Sequence, residues 1–141
     1  MRILLLNDRI PPESPGGAGQ VVWRLAQGLR DAGHEVHLIA ATEGEPFEEV
    51  RDGIPTYHLH SRYRPRFHAY YSLFNPQTLK HVRRLYEQIA PDVVNGHNIH
   101  AHLSYYTFTI AHRMGLPTVF NSHDVMPFAY NRLRHFVNPA R

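Results

Sequence analysis

The chain has 141 residues, 43% of them hydrophobic and 19% charged, the balance of one globular domain rather than of a disordered or fibrous chain. It contains no cysteine, which excludes disulfides and thiolate-held zinc or iron–sulfur sites and suits a reducing cytoplasm. Its formal charge of +3, with twelve histidines counted neutral, weakly favours anionic partners and rises as imidazoles protonate below about pH 6.5.

Ile3 to Leu6 is a continuous apolar run, too short for a signal-peptide core or a membrane span, and it predicts a central strand covered on both faces. A Pro- and Gly-rich loop from Pro11 to Gly19 follows. Val22, Leu25, Ala26 and Leu29 then recur at helical spacing up to Gly33, which suits a left-handed cap. Val36 to Ala41 is a second strand, so the opening is a strand–helix–strand unit whose crossover is expected to be right-handed. Ile54 to His60 is a third strand, and its alternation of Tyr57 and Leu59 with Thr56, His58 and His60 predicts a less buried place near the sheet edge.

Asn75-Pro76 is a helix start, cap then proline, with Leu79, Val82, Tyr86 and Ile89 as the buried stripe and Pro91 as the stop. Val93-Val94 begins a fourth strand. Leu103, Thr107, Ile110, Ala111 and Met114 mark another helix closed by Gly115, and Thr118 to Phe120 is a fifth strand. Phe128, Leu133 and Phe136 in the tail from Pro127 to Arg141 suggest one more helix. The α/β alternation implies a Rossmann-like doubly wound parallel sheet filling residues 1–141, with ligands beyond the carboxyl ends of the strands where strand order reverses. The loops there carry Asn7, Asp8, Thr42, His97, His123 and Asp124.

Three features carry candidate chemistry. Gly16, Gly17 and Gly19 let backbone approach a ligand, and the helix behind them offers free N–H groups to an anion; equally, the glycines shape a long turn. They do not form the G-x-G-x-x-G dinucleotide fingerprint, although Glu43 ends strand two much as a ribose-binding acid does. His97, His100 and His102 crowd one loop near His123-Asp124. This arrangement suits either proton transfer and hydroxyl binding by His97 or a zinc site with Asp124 as a fourth ligand, but no H-E-x-x-H pattern accompanies it. His58, His60 and His81 read as residues of solvated faces. Arg62, Tyr63, Arg64 and Arg66, with Phe67, Tyr70 and Tyr71, interleave cations and rings. They suit an ordinary exposed loop, an acceptor or anionic-membrane contact, or a single-strand nucleic-acid contact that lacks any base-reading pattern.

The opening strand with Pro11-Pro12, Gly16-Gly17, Leu25-Ala26, Leu29 and Gly33-His34-Glu35-Val36, then Pro91-Asp92-Val93-Val94 before His97 and Pro117-Thr118-Val119 before His123-Asp124, resembles the amino-terminal half of GT-B fold glycosyltransferases of family 4. The resemblance spans nearly the whole chain. It implies a retaining transfer of a sugar from a nucleotide-sugar donor to a saccharide, lipid or small-molecule acceptor, with no metal or other cofactor and no nucleic acid. It implies Gly16, Gly17 and Gly19 beside the donor phosphates and acceptor, His97 as the catalytic histidine, and His123 with Asp124 facing the same cleft.

The family's donor-binding half has no counterpart in these residues, so the domain is expected to be inactive alone. Asn95 stands where many members carry a histidine. A stand-alone anion- or nucleotide-binding module and a His-rich metal-dependent hydrolase are the competing readings. Cytoplasmic location, with the inner membrane face as a further contact, completes the expectation.

Overall fold

The computed structural model describes residues 1–14, 16–125 and 127. Its strands are β1 (Arg2–Leu6), β2 (Glu35–Thr42), β3 (Phe47–Arg51), β4 (Ile54–His60), β5 (Val93–Gly96) and β6 (Thr118–Phe120). Its α-helices are α1 (Gly17–Asp31), α2 (His68–Leu73), α3 (Pro76–Ile89) and α4 (Tyr106–Arg113), with a 3₁₀ turn at Pro65–Phe67 before α2. The helix expected in the tail falls on residues outside the described set, apart from Pro127.

The sheet runs β3-β4-β2-β1-β5-β6. Every pairing is parallel except that of β3 with β4. From β1 the chain steps outward through β2 to β4, then crosses back to place β5 on the other side of β1 and β6 beyond it. The carboxyl ends of β1 and β5 therefore flank the switch point, where a doubly wound sheet opens a crevice.

Successive side chains of a strand point to opposite faces, and β1 uses both. Ile3 and Leu5 pack with Val22, Trp23 and Ala26 of α1, while Leu4 and Leu6 pack with Val82, Leu85, Tyr86 and Ile89 of α3 and with Ala111 of α4. That two-sided burial is why β1 lacks alternation. Gly33 takes φ 89° behind α1, as its place after the helix demands. Ala90 ends α3 in the left-handed region at φ 47°.

Three expectations are corrected, and one strand joins those expected. The segment before β4 is itself a strand, β3, turned back through Asp52 and Gly53, both at positive φ; this antiparallel hairpin takes the edge. Consequently β4 is not the less buried edge strand. Thr56 and His58 are buried, and His58 lies outside any solvated face: its Nε2 is 2.9 Å from Glu49 Oε1 and its ring stacks on Phe47 at 4.0 Å. His60 and His81 are exposed as expected. Finally, α4 begins at Tyr106 rather than Leu103, because Ser104 sits at φ 70° and the preceding N–H groups are engaged elsewhere.

The buried Asn75 joins three segments. Its Oδ1 accepts the Gln77 N–H at 3.0 Å as the cap of α3, and its Nδ2 donates to Ser61 Oγ at 3.1 Å and to the His102 carbonyl at 2.6 Å. Asn75→Ala removes the cap of α3 and two buried hydrogen bonds together, so we expect it to lower stability by about 2–4 kcal/mol. Urea unfolding of the two proteins checks this.

Candidate functional site at the sheet switch point

Beyond β1 the chain places Asn7, Asp8 and Arg9 at the switch point. Asp8 is buried, and its carboxylate faces the turn that follows β5: Oδ2 accepts the Ala101 N–H at 2.7 Å, and Oδ1 accepts those of His102 at 3.0 Å and Leu103 at 2.8 Å. Asn7 Oδ1 accepts the Asn98 N–H at 3.0 Å, and the Asp8 N–H donates to the Asn98 carbonyl at 2.7 Å. Burial pushes the Asp8 carboxyl up to about pH 6, although the three N–H donors and the Arg9 charge pull it down. Asn7 and Asp8, expected among ligand-facing groups, line the cleft and also fasten one loop of the site to another.

An open cleft of about 300 Å³ lies above this junction, walled by Asp8, Arg9, Gly16 to Gly19, Asn98, and His100 to His102. Its floor is the start of α1, which has no side-chain cap and no acidic residue in its first turn. The first N–H groups of a helix lack intrahelical partners and mark the positive end of its dipole, so this floor suits an anion.

The three glycines differ. A Cβ on Gly19 would lie 2.8 Å from the Arg9 carbonyl, so close packing of α1 against the loop after β1 requires glycine there. A Cβ on Gly17 would meet nothing within 4 Å, and Gly16 would meet only Ser14 Oγ at 3.2 Å. The fold itself gives Gly17 no steric reason to be glycine.

Arg9, which sequence reasoning missed as a site residue, supplies the cation. Its Nη2 is 3.6 Å from Glu43 Oε2 and 3.4 Å from His102 Nε2. Glu43 in turn accepts the Tyr63 backbone N–H at 3.1 Å, the main reason its carboxyl is held below the usual range. Burial, and then the Arg9 charge, lower His102 to about 4, so at neutral pH it is an uncharged neighbour of Arg9; its Nδ1 is 3.0 Å from Ser61 Oγ. The only hint of Arg9 in the sequence was its position just past the first strand.

His97 and His123 are brought together. His97 is 1% exposed, and its Nδ1 is 2.7 Å from His123 Nε2, with the rings stacked at 5.0 Å. Burial, then the His123 charge, hold His97 down to about 4, so it is a neutral imidazole near pH 7. Its Nε2 is buried without a hydrogen-bond partner among the described residues, a state that costs about 1–3 kcal/mol. With the shared proton on His97 Nδ1, this Nε2 is a bare acceptor; with it on His123, it carries the N–H.

Asp124 Oδ2 is 3.9 Å from His100 Nε2. The imagined zinc cluster does not assemble among the described residues: His97 turns to His123, His102 to Ser61 and Arg9, and no group of three or more His, Asp or Glu converges. Of the basic aromatic loop, Tyr63 approaches the cleft, its ring 6.0 Å from that of His102. Arg62, Arg64 and Arg66 are exposed and form no ion pair among the described residues.

A sequence model of the family described as Glycosyltransferase Family 4 matches residues 15–141. Among solved structures the chain is similar to the catalytic domain of starch synthase IV from Arabidopsis thaliana bound to ADP and acarbose, with a TM-score of 0.63 and 15% identity over 87% of this chain and 34% of that one. Fainter likenesses, also at 15% identity, run to a CobK precorrin-6A reductase (TM-score 0.45, 86% of this chain, 38% of that one) and to an E. coli structure described as trehalose-6-phosphate bound with UDP-2-fluoro glucose (TM-score 0.38, 86% and 32%). At this identity the likeness concerns the fold alone. The chain spans about a third of the length of each. No curated protein matches it in sequence.

The buried groups set the pH response. His97 and His102, with folded values near 4 against 6.5, give stability that is present above about pH 6.5 and lost as pH falls through about 4. Asp8, raised from 3.8 to about 6, acts in the opposite sense: its contribution is full below about pH 3.8 and lost as pH rises through 6. Two imidazoles oppose one carboxyl, so stability is expected to fall on acidification from about pH 7 to 4.5, and His102→Gln to flatten that fall in urea melts across the range.

Proposed function

The chain belongs to glycosyltransferase family 4 and has a Rossmann-like α/β fold of GT-B type, and from that premise we propose that it forms the acceptor-side wall of an enzyme moving a sugar from a nucleotide-sugar donor to an acceptor hydroxyl, with retention and without a metal. The observation that carries this reading is the cleft at the switch point: an uncapped helix start, a glycine at 17 that the fold does not need, and Arg9 opposite. Such a floor suits a diphosphate, and starch synthase IV is described bound to ADP.

In the proposed reaction the bond between the anomeric carbon and the donor's phosphate oxygen breaks, and an acceptor hydroxyl attacks from the same face. Negative charge then grows on the departing nucleoside diphosphate. The N–H groups after Gly16 and the Arg9 guanidinium are fixed where they favour that charge without having to reorient. His97 keeps a neutral Nε2 on a ring oriented by His123, fitted to hydrogen-bond a sugar hydroxyl rather than to carry a proton near neutral pH.

His100 with Asp124 borders the glycine loop, and Tyr63 with Arg62, Arg64 and Arg66 stands on the side from which an acceptor enters. These groups make one wall of a two-walled cleft, so the domain is expected to bind ligand weakly and turn over negligibly by itself. Among the described residues no helix is long and apolar enough to cross a membrane; a cytoplasmic setting, where nucleotide sugars serve as donors, is part of the proposal.

Gly17→Ala separates ligand approach from packing. With no atom within 4 Å of the added methyl, thermal stability is expected to stay the same or rise by a few tenths of a kcal/mol. Calorimetric affinity for UDP, GDP or their sugars is expected to fall about tenfold, the cost of a misplaced anion contact. Equal affinity for both proteins, or binding by neither, counts against this use of the loop.

A second test acts on His97. In the longest product of the reading frame, His97→Ala is expected to lower the transfer rate by about 10²–10⁴-fold with the fold intact. An unchanged rate would remove His97 from the chemistry.

A further inference from the structure

Between Asp52 and Glu87 the sequence contains no acidic residue, while it carries Arg62, Arg64, Arg66, Lys80, Arg83 and Arg84. Arg83 pairs with Glu87, at 3.3 Å. The three arginines before α2 form no ion pair among the described residues, and their side chains lie in solvent.

Directly after them the 3₁₀ turn and α2 display an apolar stripe. Phe67, Tyr70, Leu73 and Phe74 recur at helical spacing, with Tyr70 at 55% and Leu73 at 65% exposure. This stripe is continuous. Tyr70 and Phe74 lie 6.2 Å apart, Phe74 meets Tyr106 edge-on at 5.0 Å, and the Arg113 guanidinium lies 5.7 Å over the Tyr106 ring. An exposed aromatic and aliphatic ridge thus has unpaired arginines at one end and another arginine at the other.

Either feature alone is ordinary. Together they have the composition of a segment that lies in the plane of a bilayer interface: rings at headgroup depth, cations at lipid phosphates, and no acidic residue of its own, while the neighbouring Glu43 is engaged by Arg9 and the Tyr63 N–H. We infer that the segment Arg62–Phe74 docks the protein on an anionic lipid bilayer. Charge complementarity favours this occupant over a second copy of the chain, because stacking two copies through the patch would bring arginines against arginines.

The segment leaves the carboxyl end of β4, the same end of the sheet at which the cleft opens, and Tyr63 bridges the two through its contact with His102. A bilayer held by α2 would therefore lie beside the cleft rather than behind it. The inference does not need the transfer reading: vesicle binding is measured without nucleotide or acceptor.

The test is co-sedimentation with vesicles of phosphatidylcholine alone and of phosphatidylcholine with about one third phosphatidylglycerol. We expect binding to the anionic vesicles only, weakening as salt rises toward about 0.5 M. At about fivefold per cation near the surface, Arg62→Ala/Arg64→Ala/Arg66→Ala should cost roughly 100-fold in affinity. Phe67→Ser/Tyr70→Ser/Leu73→Ser, which keeps the charge, should remove the part of binding that survives high salt.

All six positions are exposed or flank an exposed turn, and unchanged circular dichroism melts confirm that the variants fold. Equal binding to neutral vesicles, binding unaffected by the arginine variant, or no vesicle binding alongside self-association in sedimentation velocity would each overturn the inference. Failure here leaves the nucleotide affinities of wild type and Gly17→Ala untouched, so the two readings fail separately.

Discussion

A buried carboxylate at the end of the central strand accepts hydrogen bonds from three consecutive backbone N–H groups of a turn more than ninety residues later in the chain. The rest of the site depends on this contact. Without it the 98–104 loop would need other acceptors for N–H groups shielded from water, and each one left unpaired would cost about 1–3 kcal/mol. Asp8 meets the need at one point, and Asn7 repeats the logic next door by accepting the Asn98 N–H. The contact also delays α4, because a turn whose N–H groups point at Asp8 is not yet helical, and Ser104 must pass through positive φ before the helix begins.

From that junction the functional geometry follows. With the loop after β5 drawn over the end of β1, His102 comes within reach of Arg9 and Ser61, and its carbonyl becomes an acceptor for Asn75. A single turn thereby links the start of α3, the end of β4 and the wall of the cleft. His97, one residue past β5, is held by its own N–H to the Leu6 carbonyl at 2.9 Å. Its ring is fixed by His123 and leaves one nitrogen without a partner among the described residues. Around the Arg9 guanidinium at the cleft mouth, Glu43 offsets the positive charge, while burial keeps His102 neutral instead of adding a second cation.

How much of this was legible in the sequence depends on the range of the interaction. The apolar run of β1, the Asn75-Pro76 helix start and the left-handed place of Gly33 are local signals, and all appear where local physics puts them. The hairpin was also local and was missed: Asp52-Gly53 between short runs is a strong turn signal, but Glu48, Glu49 and Arg51 disguise β3 as a loop. Mistaking β4 for the edge followed from that, because His58 reads as solvent-facing until Phe47 is known to lie across from it and Glu49 to reach its ring from two residues further along β3. The roles of Asp8 and Arg9 depend on partners 93 to 95 residues away or on another loop, and no spacing rule encodes those distances. The pairing of His97 with His123 is of the same kind, visible in the sequence only as two histidines at equivalent strand ends.

Parallel topology explains why so many unlike features gather at one end. Each of β1, β2, β4, β5 and β6 releases its chain on the same side, so the glycine loop, Glu43, the arginine-rich segment, the histidine loop and His123 are neighbours by construction. The two halves of that end then divide by charge economy. Around Asp8, polar groups are buried and paired, which fixes positions and leaves little freedom. Along Arg62–Phe74, arginines without ion pairs among the described residues and rings that touch one another face solvent, which leaves binding energy available to an outside surface. A rigid cleft beside an adhesive ridge is what a sheet of this kind yields when paired polar residues follow the inner strands and exposed basic and aromatic ones follow β4.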